Sequence, residues 1–421
     1  MPTRPDQKEE SARYDPGDRL EVTVEKIVPR GLGLAFAEDL TVFVPLSAPG
    51  DRLEVRLEQV KGRTAFAEIE RVIEPSPERG VPPCKYFGTC GGCDLQQLPY
   101  ERQLAAKVEM IKDSLHRIGK IEIDDIPMIA SPNPLHYRTR ALWHVDTRVG
   151  MMGYYKRNSH DVVDIDHCPI LDPALDATLQ RFRSELGEGR FWEEKAKVEA
   201  AVGSDGKVSI NAPDLPEAVE EIVVDVAGER YHFDARSFFQ GNLPLVESLI
   251  EAATGGASGT HALDLYCGVG LFSLPLARRF TTVTGVEANH QAVDYAKRNG
   301  AEAGAGNLTF YSESVGRFIF DRDVGGADLV LLDPPRAGTE KNVIQRIIRL
   351  QPKNVSYVSC DPSILARDMR RFLDGGYSID SITALDLFPQ THHVEAVARL
   401  SIGQAEQLGS PPYEGGVAEA W

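Results

Sequence analysis

The C-terminal third of the chain alternates apolar strand patterns with helical patterns, and this alternation limits the fold more than any other feature. Short apolar runs occur at 261–266, 282–287, 307–311, 327–333 and 354–358. Strands that alternate with helices usually form a parallel sheet covered by helices on both faces. We therefore predict an α/β, Rossmann-like domain over residues 236–402, with a further pair of strands at the end of its sheet.

The first of these strands ends in a glycine-containing turn that fits a nucleotide-like cofactor. Asp264 opens the run Asp-Leu-Tyr-Cys-Gly-Val-Gly, which contains Gly268 and Gly270 but lacks the third glycine of the dinucleotide fingerprint. Glu287 ends the next strand, where a carboxylate can bind ribose hydroxyls. An adenosine-bearing cofactor without a pyrophosphate fits this pattern, so we predict S-adenosylmethionine, with NAD as the competing cofactor.

Two reactive side chains follow later strands of the same predicted sheet. Cys360 lies between the strand at 354–358 and a helix that begins near Ser363, and Asp333 opens the turn Asp-Pro-Pro-Arg. Ligands of open α/β sheets bind at the carboxyl ends of the strands, so both side chains should face one site. Helix N-terminal amides there would favour the thiolate of Cys360. At this point a nucleophile and a small buried core cysteine are both open interpretations of Cys360.

The N-terminal segment 15–74 has a different pattern, with five short strands separated by turns. This pattern predicts a small closed β-barrel of the OB type. Residues 84–235 read as a central α+β domain, in which a repeating apolar stripe predicts a helix from Tyr100 to Ile118. The polar residues 1–14 are expected to be disordered, and residues 403–421 to form a flexible tail.

Four cysteines of the central domain suggest a metal centre. Cys84, Cys90 and Cys93 lie close together, with two glycines between the last two, and Cys168 follows far downstream. The N-terminus lacks the apolar stretch of a secretion signal, so we expect a cytoplasmic location, where thiols stay reduced. Four thiolates suit tetrahedral zinc or an iron–sulfur cluster, and the spacing alone leaves both open.

The distribution of charge is compatible with an RNA partner, although the formal net charge is −17. Residues 131–160 carry five basic side chains and one acidic one, and residues 336–371 carry eight basic and three acidic ones. The local field at a groove, not the total charge, decides whether a polyanion binds. Aromatic residues interleave with the first basic cluster, as suits base stacking and phosphate contact. The candidate RNA contacts are Arg138, Arg140, Lys156 and Arg157.

Five motifs together give the chain a resemblance to a known family. They are Phe239–Asn242, Asp264–Gly270, Asp333–Gly338, Ser359–Pro362 and His393–Glu395. With these motifs the chain resembles the RNA uracil-5 methyltransferases of the TrmA/RlmC/RlmD family over nearly its whole length. The resemblance implies a methyltransferase domain that binds S-adenosylmethionine, and the barrel resembles that family's TRAM domain. A TRAM domain together with an iron–sulfur cluster resembles the 23S ribosomal RNA branch more than the tRNA branch.

The resemblance also implies roles for individual residues. Cys360 would attack C6 of uracil, Glu395 would remove the C5 proton, and Asp333 would hold the edge of the base. The residues implied to bind S-adenosylmethionine are Gln240, Tyr266, Gly268, Gly270, Glu287, Ser314 and Asp333. The four cysteines Cys84, Cys90, Cys93 and Cys168 resemble the family's [4Fe–4S] ligands, which favours the cluster over zinc.

The leading prediction is therefore methyl transfer from S-adenosylmethionine to C5 of a uridine in 23S rRNA through a covalent adduct between cysteine and C6. The same chemistry on the T-loop of tRNA is one alternative, and a non-catalytic iron–sulfur RNA-binding assembly factor is another. A third alternative is an amino-group methyltransferase. Enzymes of that class commonly have an aromatic residue at the position of Arg336, so this arginine argues against it. We expect RNA as the partner, and no DNA, no membrane and no obligate protein partner.

Overall fold

The computed structural model describes residues 14–186, 193–212, 219–322 and 324–403. The predictions of a disordered N-terminus at 1–14 and a flexible tail at 403–421 lie outside the described residues, apart from residues 14 and 403. Among the described helices, none combines the length and the apolar character needed to cross a membrane.

Twenty strands and eight α-helices are present in the described residues. The strands are β1 Arg19–Val28, β2 Leu32–Ala37, β3 Leu40–Pro45, β4 Arg52–Lys61, β5 Thr64–Glu74, β6 Met128–Ile129, β7 Arg140–Asp146, β8 Met151–Tyr155, β9 Val162–Asp164, β10 Lys195–Val202, β11 Val208–Asn211, β12 Ile222–Val226, β13 Glu229–Phe233, β14 Gly259–Leu265, β15 Phe280–Glu287, β16 Leu308–Ser312, β17 Leu329–Leu332, β18 Asn354–Ser359, β19 Tyr377–Leu385 and β20 Glu395–Ile402. The helices are α1 Tyr100–Ser114, α2 Pro173–Glu185, α3 Leu243–Thr254, α4 Ser273–Ala277, α5 His290–Glu302, α6 Val315–Asp321, α7 Val343–Leu350 and α8 Pro362–Asp374.

The first five strands close into a barrel in the order β1-β2-β3-β5-β4. Alternate residues of each strand point inward, since the side-chain period of a strand is two. Val22, Val24, Val42 and Val55 are among the aliphatic residues that fill the interior. The predicted OB-like barrel is therefore confirmed.

The second sheet is antiparallel and has the order β11-β10-β7-β8-β9. Its core includes Trp143, Leu179 and Phe182, so helix α2 packs on this sheet. The predicted cysteine ligands Cys90, Cys93 and Cys168 lie at the margin of the same core.

The C-terminal sheet has the strand order β16-β15-β14-β17-β18-β20-β19-β6. Strands β14 to β18 pair in parallel, and β20 runs antiparallel between β18 and β19. One apolar core lies under α1, α6, α7 and α8, and the other lies under α3, α4 and α5. The predicted Rossmann-like α/β domain and its final strand pair are confirmed.

Two segments of the predicted central range 84–235 pack on the C-terminal sheet. Helix α1 buries Ile111 in the same core as Phe372 of α8, and β6 pairs in parallel with β19. The hairpin β12–β13 buries Tyr231 and Phe233 against α3. The apolar stripe of α1 was visible in the sequence, but the surface that covers it became visible only in the structure. Helix α1 ends at Ser114 and continues as a π-helical turn from Leu115 to Gly119, so the predicted helical span from Tyr100 to Ile118 is confirmed.

Candidate active site

Most of the predicted site residues of the C-terminal domain lie at one edge of its sheet. Because β14 to β18 are parallel, their carboxyl ends meet at the same edge. Tyr266 follows β14, Glu287 ends β15, Asp333 follows β17 and Cys360 follows β18. Strand β14 lies between β15 and β17, which is the point where the strand order reverses and where ligands of such sheets bind.

The strand register brings Cys360 and Glu395 together, although they are separated in the sequence. In the antiparallel pair β18–β20, Ser359 lies opposite Ala396. Cys360 follows Ser359 and Glu395 precedes Ala396, so the two side chains meet at the end of the same ladder. Asp333 comes from the neighbouring strand β17, and its backbone N–H donates to the Leu265 carbonyl at 3.3 Å.

Burial raises the pKa of all three reactive groups. Glu395 is 3% exposed, and its burial, together with the nearby Asp333 charge, raises the pKa of its carboxyl group well above the usual value. Burial and the neighbouring Asp264 raise the pKa of Asp333 to about 7. Burial likewise raises the pKa of the Cys360 thiol to about 12, and the carboxyl groups of Glu395 and Asp333 add to the rise.

The expected support of the Cys360 thiolate by helix amides is not what the structure shows. The N-terminus of α8 is capped by Asp361, whose Oδ1 accepts from the backbone N–H groups of Ser363 at 2.8 Å and Ile364 at 3.1 Å. These amides are therefore already occupied by a carboxylate. The nearby cation that favours the thiolate is Arg336, which opposes the rise in the pKa of Cys360.

The turn after β14 has the shape of a cofactor cradle. Gly268 and Gly270 have φ values of +54° and +93°, which favour glycine over side chains with a Cβ atom. The space beside Gly268 is open, since a Cβ atom there would meet nothing within 4 Å. Glu287 holds the turn, because its carboxylate accepts from the N–H groups of Gly268 at 3.3 Å and Asn289 at 2.7 Å.

The remaining predicted cofactor residues have more varied surroundings. Tyr266 has a left-handed backbone, with φ +67°, and its hydroxyl donates to Glu340. Ser314 is exposed and caps α6 by accepting from the Arg317 N–H at 3.2 Å. Gln240 is 4% exposed, and its amide has no hydrogen-bond partner among the described residues. Its side chain is therefore available to a ligand.

The four predicted metal-ligating cysteines line one cavity of about 140 Å³. Burial raises the pKa of Cys90, Cys93 and Cys168, the last to about 11. Arg138 also lines the cavity and supplies a positive charge beside the thiols. In the described part of the chain, no three such side chains are already close enough together to hold a single metal ion.

Comparison of the chain with known proteins identifies the family to which it belongs. The sequence profile described as tRNA (Uracil-5-)-methyltransferase matches residues 214–401, and that of the TRAM domain of tRNA (uracil(54)-C(5))-methyltransferase matches residues 20–77. A 23S rRNA (uracil(1939)-C(5))-methyltransferase RlmD from Pectobacterium atrosepticum is 33% identical over 94% of this chain and 96% of its own length. The chain belongs to the RNA uracil-5-methyltransferase family.

Two further relatives agree with this assignment. An uncharacterized RNA methyltransferase from Halalkalibacterium halodurans is 32% identical to this methyltransferase over 93% of the chain and 99% of its own length. The crystal structure of the Pyrococcus abyssi tRNA (uracil-54, C5)-methyltransferase in complex with S-adenosyl-L-homocysteine matches with a TM-score of 0.72 and 28% identity. The match covers 90% of this chain and 100% of that chain. The family resemblance and the enzyme class predicted from the sequence are thus confirmed.

Three of the four predicted RNA contacts of the methyltransferase have internal partners in the structure. Arg140 donates to the carbonyls of Ser237 at 2.6 Å and Ala235 at 2.9 Å, and burial lowers the pKa of its guanidinium to about 10. Arg138 donates to the Arg140 carbonyl at 3.0 Å. Arg157 donates to the Cys93 carbonyl at 2.7 Å and to Asp94 at 3.0 Å. Lys156 is exposed, so it is the one of the four that is open to a phosphate.

Two side chains of the methyltransferase, Asp264 and Phe238, were given no role from the sequence. Asp264 is buried; its Oδ2 accepts from the Ser273 hydroxyl at 2.5 Å, and its Oδ1 has no partner among the described residues. Its place at the head of the glycine turn was the available signal. Phe238 is 65% exposed and lies beside Arg140, whose guanidinium is 6.0 Å from the ring centre. Its sequence neighbourhood gave no sign that this aromatic ring faces solvent.

Proposed function

We propose that this protein transfers a methyl group from S-adenosylmethionine to C5 of a uridine in 23S rRNA through a covalent bond between Cys360 and C6. The observation that carries the proposal is the meeting of Cys360, Glu395 and Asp333 at one sheet edge. The relative from Pectobacterium atrosepticum, which is named for C5 methylation of uracil in 23S rRNA, supports the choice of RNA.

The chemistry requires a nucleophile and a base on this chain. Uracil C5 is a weak nucleophile, and the addition of a thiolate to C6 turns it into an enolate-like carbon. Cys360, after its proton has passed to water, forms the bond between Sγ and C6. Bound S-adenosylmethionine would supply the electrophilic methyl group that C5 takes, with S-adenosylhomocysteine as the leaving group. Glu395 then removes the C5 proton, the double bond between C5 and C6 forms again, and the bond between C6 and Sγ breaks.

The cofactor fits the turn after β14 and the neighbouring strand ends. The open space beside Gly268 lets a ligand approach the backbone, and the Glu287 carboxylate lies where ribose hydroxyls can be bound. Asp264 is on β14, the strand that leads into this turn, and its unpartnered Oδ1 is a further candidate contact. The residues assigned to the cofactor remain those inferred from the sequence, namely Gln240, Tyr266, Gly268, Gly270, Glu287, Ser314 and Asp333.

We place a [4Fe–4S] cluster at the four cysteines. Cys84, Cys90, Cys93 and Cys168 surround one cavity, as ligands of a shared centre would. Four thiolates can hold such a cluster, and the resemblance to the family favours it over zinc. The Arg138 cation would offset part of its negative charge. When bound, the cluster would tie the 84–93 loop to the Cys168 segment.

The RNA would enter beside Phe238 and Lys156. An exposed aromatic ring can stack on an unpaired base, and an exposed lysine can contact a phosphate. The target base must leave its stack to reach Cys360, which lies at the sheet edge and is half-buried. The binding of single-stranded or looped RNA is therefore expected.

The proposal is tested by covalent trapping. The protein is incubated with S-adenosylmethionine and 5-fluorouridine-substituted 23S rRNA or tRNA, and the products are separated on a denaturing gel. Fluorine at C5 cannot leave as a proton does, so a methylated protein–RNA adduct should persist. We expect the adduct with 23S rRNA, its loss in Cys360→Ala, and its retention in the control variant Cys267→Ala, because Cys267 is a buried cysteine of the same domain that is assigned no covalent role.

The second candidate function is the same reaction on tRNA instead of 23S rRNA. The Pyrococcus abyssi structure and both matching family profiles carry tRNA in their names. An adduct with tRNA but not with 23S rRNA would replace the substrate and leave the mechanism standing. The absence of an adduct with either RNA, in protein that binds S-adenosylmethionine, would contradict the covalent mechanism and favour an RNA-binding assembly factor.

A further inference from the structure

A direct contact joins the cysteine-rich loop, residues 84–98, to the segment that leads into Glu395. Asp94 follows Cys93, and its Oδ2 lies 2.6 Å from Nδ1 of His392 and accepts from the His392 backbone N–H at 3.5 Å. The backbone N–H groups of Asp94 and Leu95 both donate to the Gln390 carbonyl, at 3.0 and 3.1 Å. These contacts join parts of the chain that lie 298 positions apart.

Asp94 is itself held firmly, so it can fix its partner. Arg157 donates to Oδ1 of Asp94 at 3.0 Å and to the Cys93 carbonyl at 2.7 Å. The barrel closes the other side, because a Cβ atom on Gly31 would lie 2.9 Å from the Cβ of His392 and 3.4 Å from that of Asp94. Gly31 has φ +70°, so glycine is needed here for its backbone as well as for space.

His392 is three residues before Glu395, and the chain between them is constrained. The rings of His392 and His393 lie 4.1 Å apart, and the His393 N–H donates to the Thr391 hydroxyl at 3.2 Å. Val394 is buried, and β20 begins at Glu395. On the opposite side, Gln390 exchanges two hydrogen bonds with Gln103 of α1, both 3.0 Å long. The position of His392 therefore influences the position of Glu395, the first residue of β20.

We propose that Asp94, acting through His392, is a positioning residue for the Glu395 carboxylate. This inference rests on the proposed function of Glu395 as the base that takes the C5 proton. The cysteine-rich loop supplies the Asp94 carboxylate, so it helps to position the base for the last chemical step, the removal of the C5 proton.

The consequence for the reaction is specific to one step. Addition of Cys360 to C6 and methylation of C5 do not use the Glu395 carboxylate as a base. Release does, since the C5 proton goes to Glu395 as the double bond between C5 and C6 forms again and the bond between C6 and Sγ breaks. A displaced Glu395 would therefore slow release and leave a methylated adduct on ordinary RNA.

The experiment measures this adduct with unsubstituted RNA. His392→Ala, Asp94→Ala and His392→Asn are incubated with S-adenosylmethionine and unmodified transcripts of 23S rRNA and of tRNA, then run on a denaturing gel. We expect His392→Ala and Asp94→Ala to hold at least fivefold more protein in the adduct than wild type, with turnover lowered and KM for RNA unchanged. His392→Asn should return towards wild type, because its amide N–H can replace the donor Nδ1–H. Metal content and visible absorption per chain should stay unchanged in the His392 variants.

The matched control removes an exposed contact between the barrel and α1 that does not touch the segment before Glu395. Lys26→Met loses the Lys26–Asp113 ion pair, which is 3.3 Å long, and should behave as wild type. Equal adduct levels in wild type and His392→Ala would overturn the positioning role, as would equal effects of His392→Ala and His392→Asn.

The variant Glu395→Gln separates the two proposals. If Glu395→Gln accumulates the adduct and His392→Ala does not, only the proposed positioning role of Asp94 and His392 fails. If Glu395→Gln does not accumulate it either, the assignment of Glu395 as the base fails, and the inference fails with it.

Discussion

Lys107 of α1 and Asp386 after β19 form an ion pair in which both side chains are fully buried, with Nζ 2.5 Å from Oδ1. The Lys107 ammonium also donates to the Phe388 carbonyl at 3.0 Å. The pair fastens α1 to the segment between β19 and β20, the same segment that leads to Glu395. An apolar residue at position 107 would also pack α1 against the core. It would not make the contacts with Asp386 and the Phe388 carbonyl that hold this segment in place.

Removal of one member of this pair should be costly. Lys107→Met leaves the Asp386 carboxylate buried without its cation, which lowers the free energy of unfolding by about 3–5 kcal/mol. Urea denaturation followed by circular dichroism measures the change. The double variant Lys107→Met/Asp386→Asn should recover a large part of the loss, because no isolated charge remains. If the single and double variants are equally stable, the pair does not act as described.

Turnover should rise with pH through the neutral range. Burial, followed by the nearby Asp264, raises the pKa of Asp333 to about 7, and burial raises that of Glu395 well above the usual value. A raised pKa keeps a carboxyl group protonated at a pH where an exposed one is ionised. In the proposed mechanism Glu395 must be ionised to accept the C5 proton, so turnover should rise as the pH rises and this carboxyl group loses its proton. Steady-state methylation rates between pH 6 and pH 8.5 measure the profile, and a rate that is flat or falls with rising pH would contradict it.

The exposed ring of Phe238 should contribute to RNA binding. Phe238→Ala removes one stacking surface, which is worth about 1–3 kcal/mol, so the Kd for RNA should rise about tenfold. The affinity for S-adenosylmethionine should not change. Filter binding and isothermal titration measure the two affinities. Phe320→Ala, which removes another half-exposed phenylalanine, on α6, is the matched control and should bind RNA as wild type.

Replacement of one cysteine of the cavity should remove the proposed cluster. Cys93→Ser is expected to lower the iron content of anaerobically purified protein and its visible absorption, because a hydroxyl is a poor substitute for a thiolate ligand. Cys267→Ser, a change at a buried cysteine outside the cavity, should keep both. Elemental analysis that finds one zinc ion and no iron in the wild type would replace the cluster by a zinc site.

Local patterns in the sequence predicted most of the strands and the order of the domains. The period-two alternation at 15–74 predicted the barrel, and the alternation of strands and helices after residue 260 predicted the parallel sheet. The same patterns placed Cys360 and Asp333 at strand ends, where the structure has them. Such predictions succeed because the side-chain period and the direction of a parallel strand are local properties.

The N-terminus of α8, which follows Cys360, shows what local sequence reasoning did not predict. The sequence correctly indicated that a helix follows Cys360, but the amides at its start bind Asp361 and not the thiol. Aspartate is a preferred N-cap residue, so this signal was present in the Cys-Asp-Pro run itself. The raised pKa of Cys360 could not be read in the same way, since it depends on burial among groups from three strands.

By itself, the sequence determined the fold class and the family, and it proposed the residues that carry out the chemistry, since motif spacing and hydrophobic period are properties of the linear sequence. The tertiary structure alone decided which of these residues meet. The contacts of Asp94 with His392 and of Lys107 with Asp386 join positions 298 and 279 residues apart. The raised pKa of Glu395 likewise depends on burial by distant segments. Contacts at such separations form only when the whole chain has packed, because no local period specifies them.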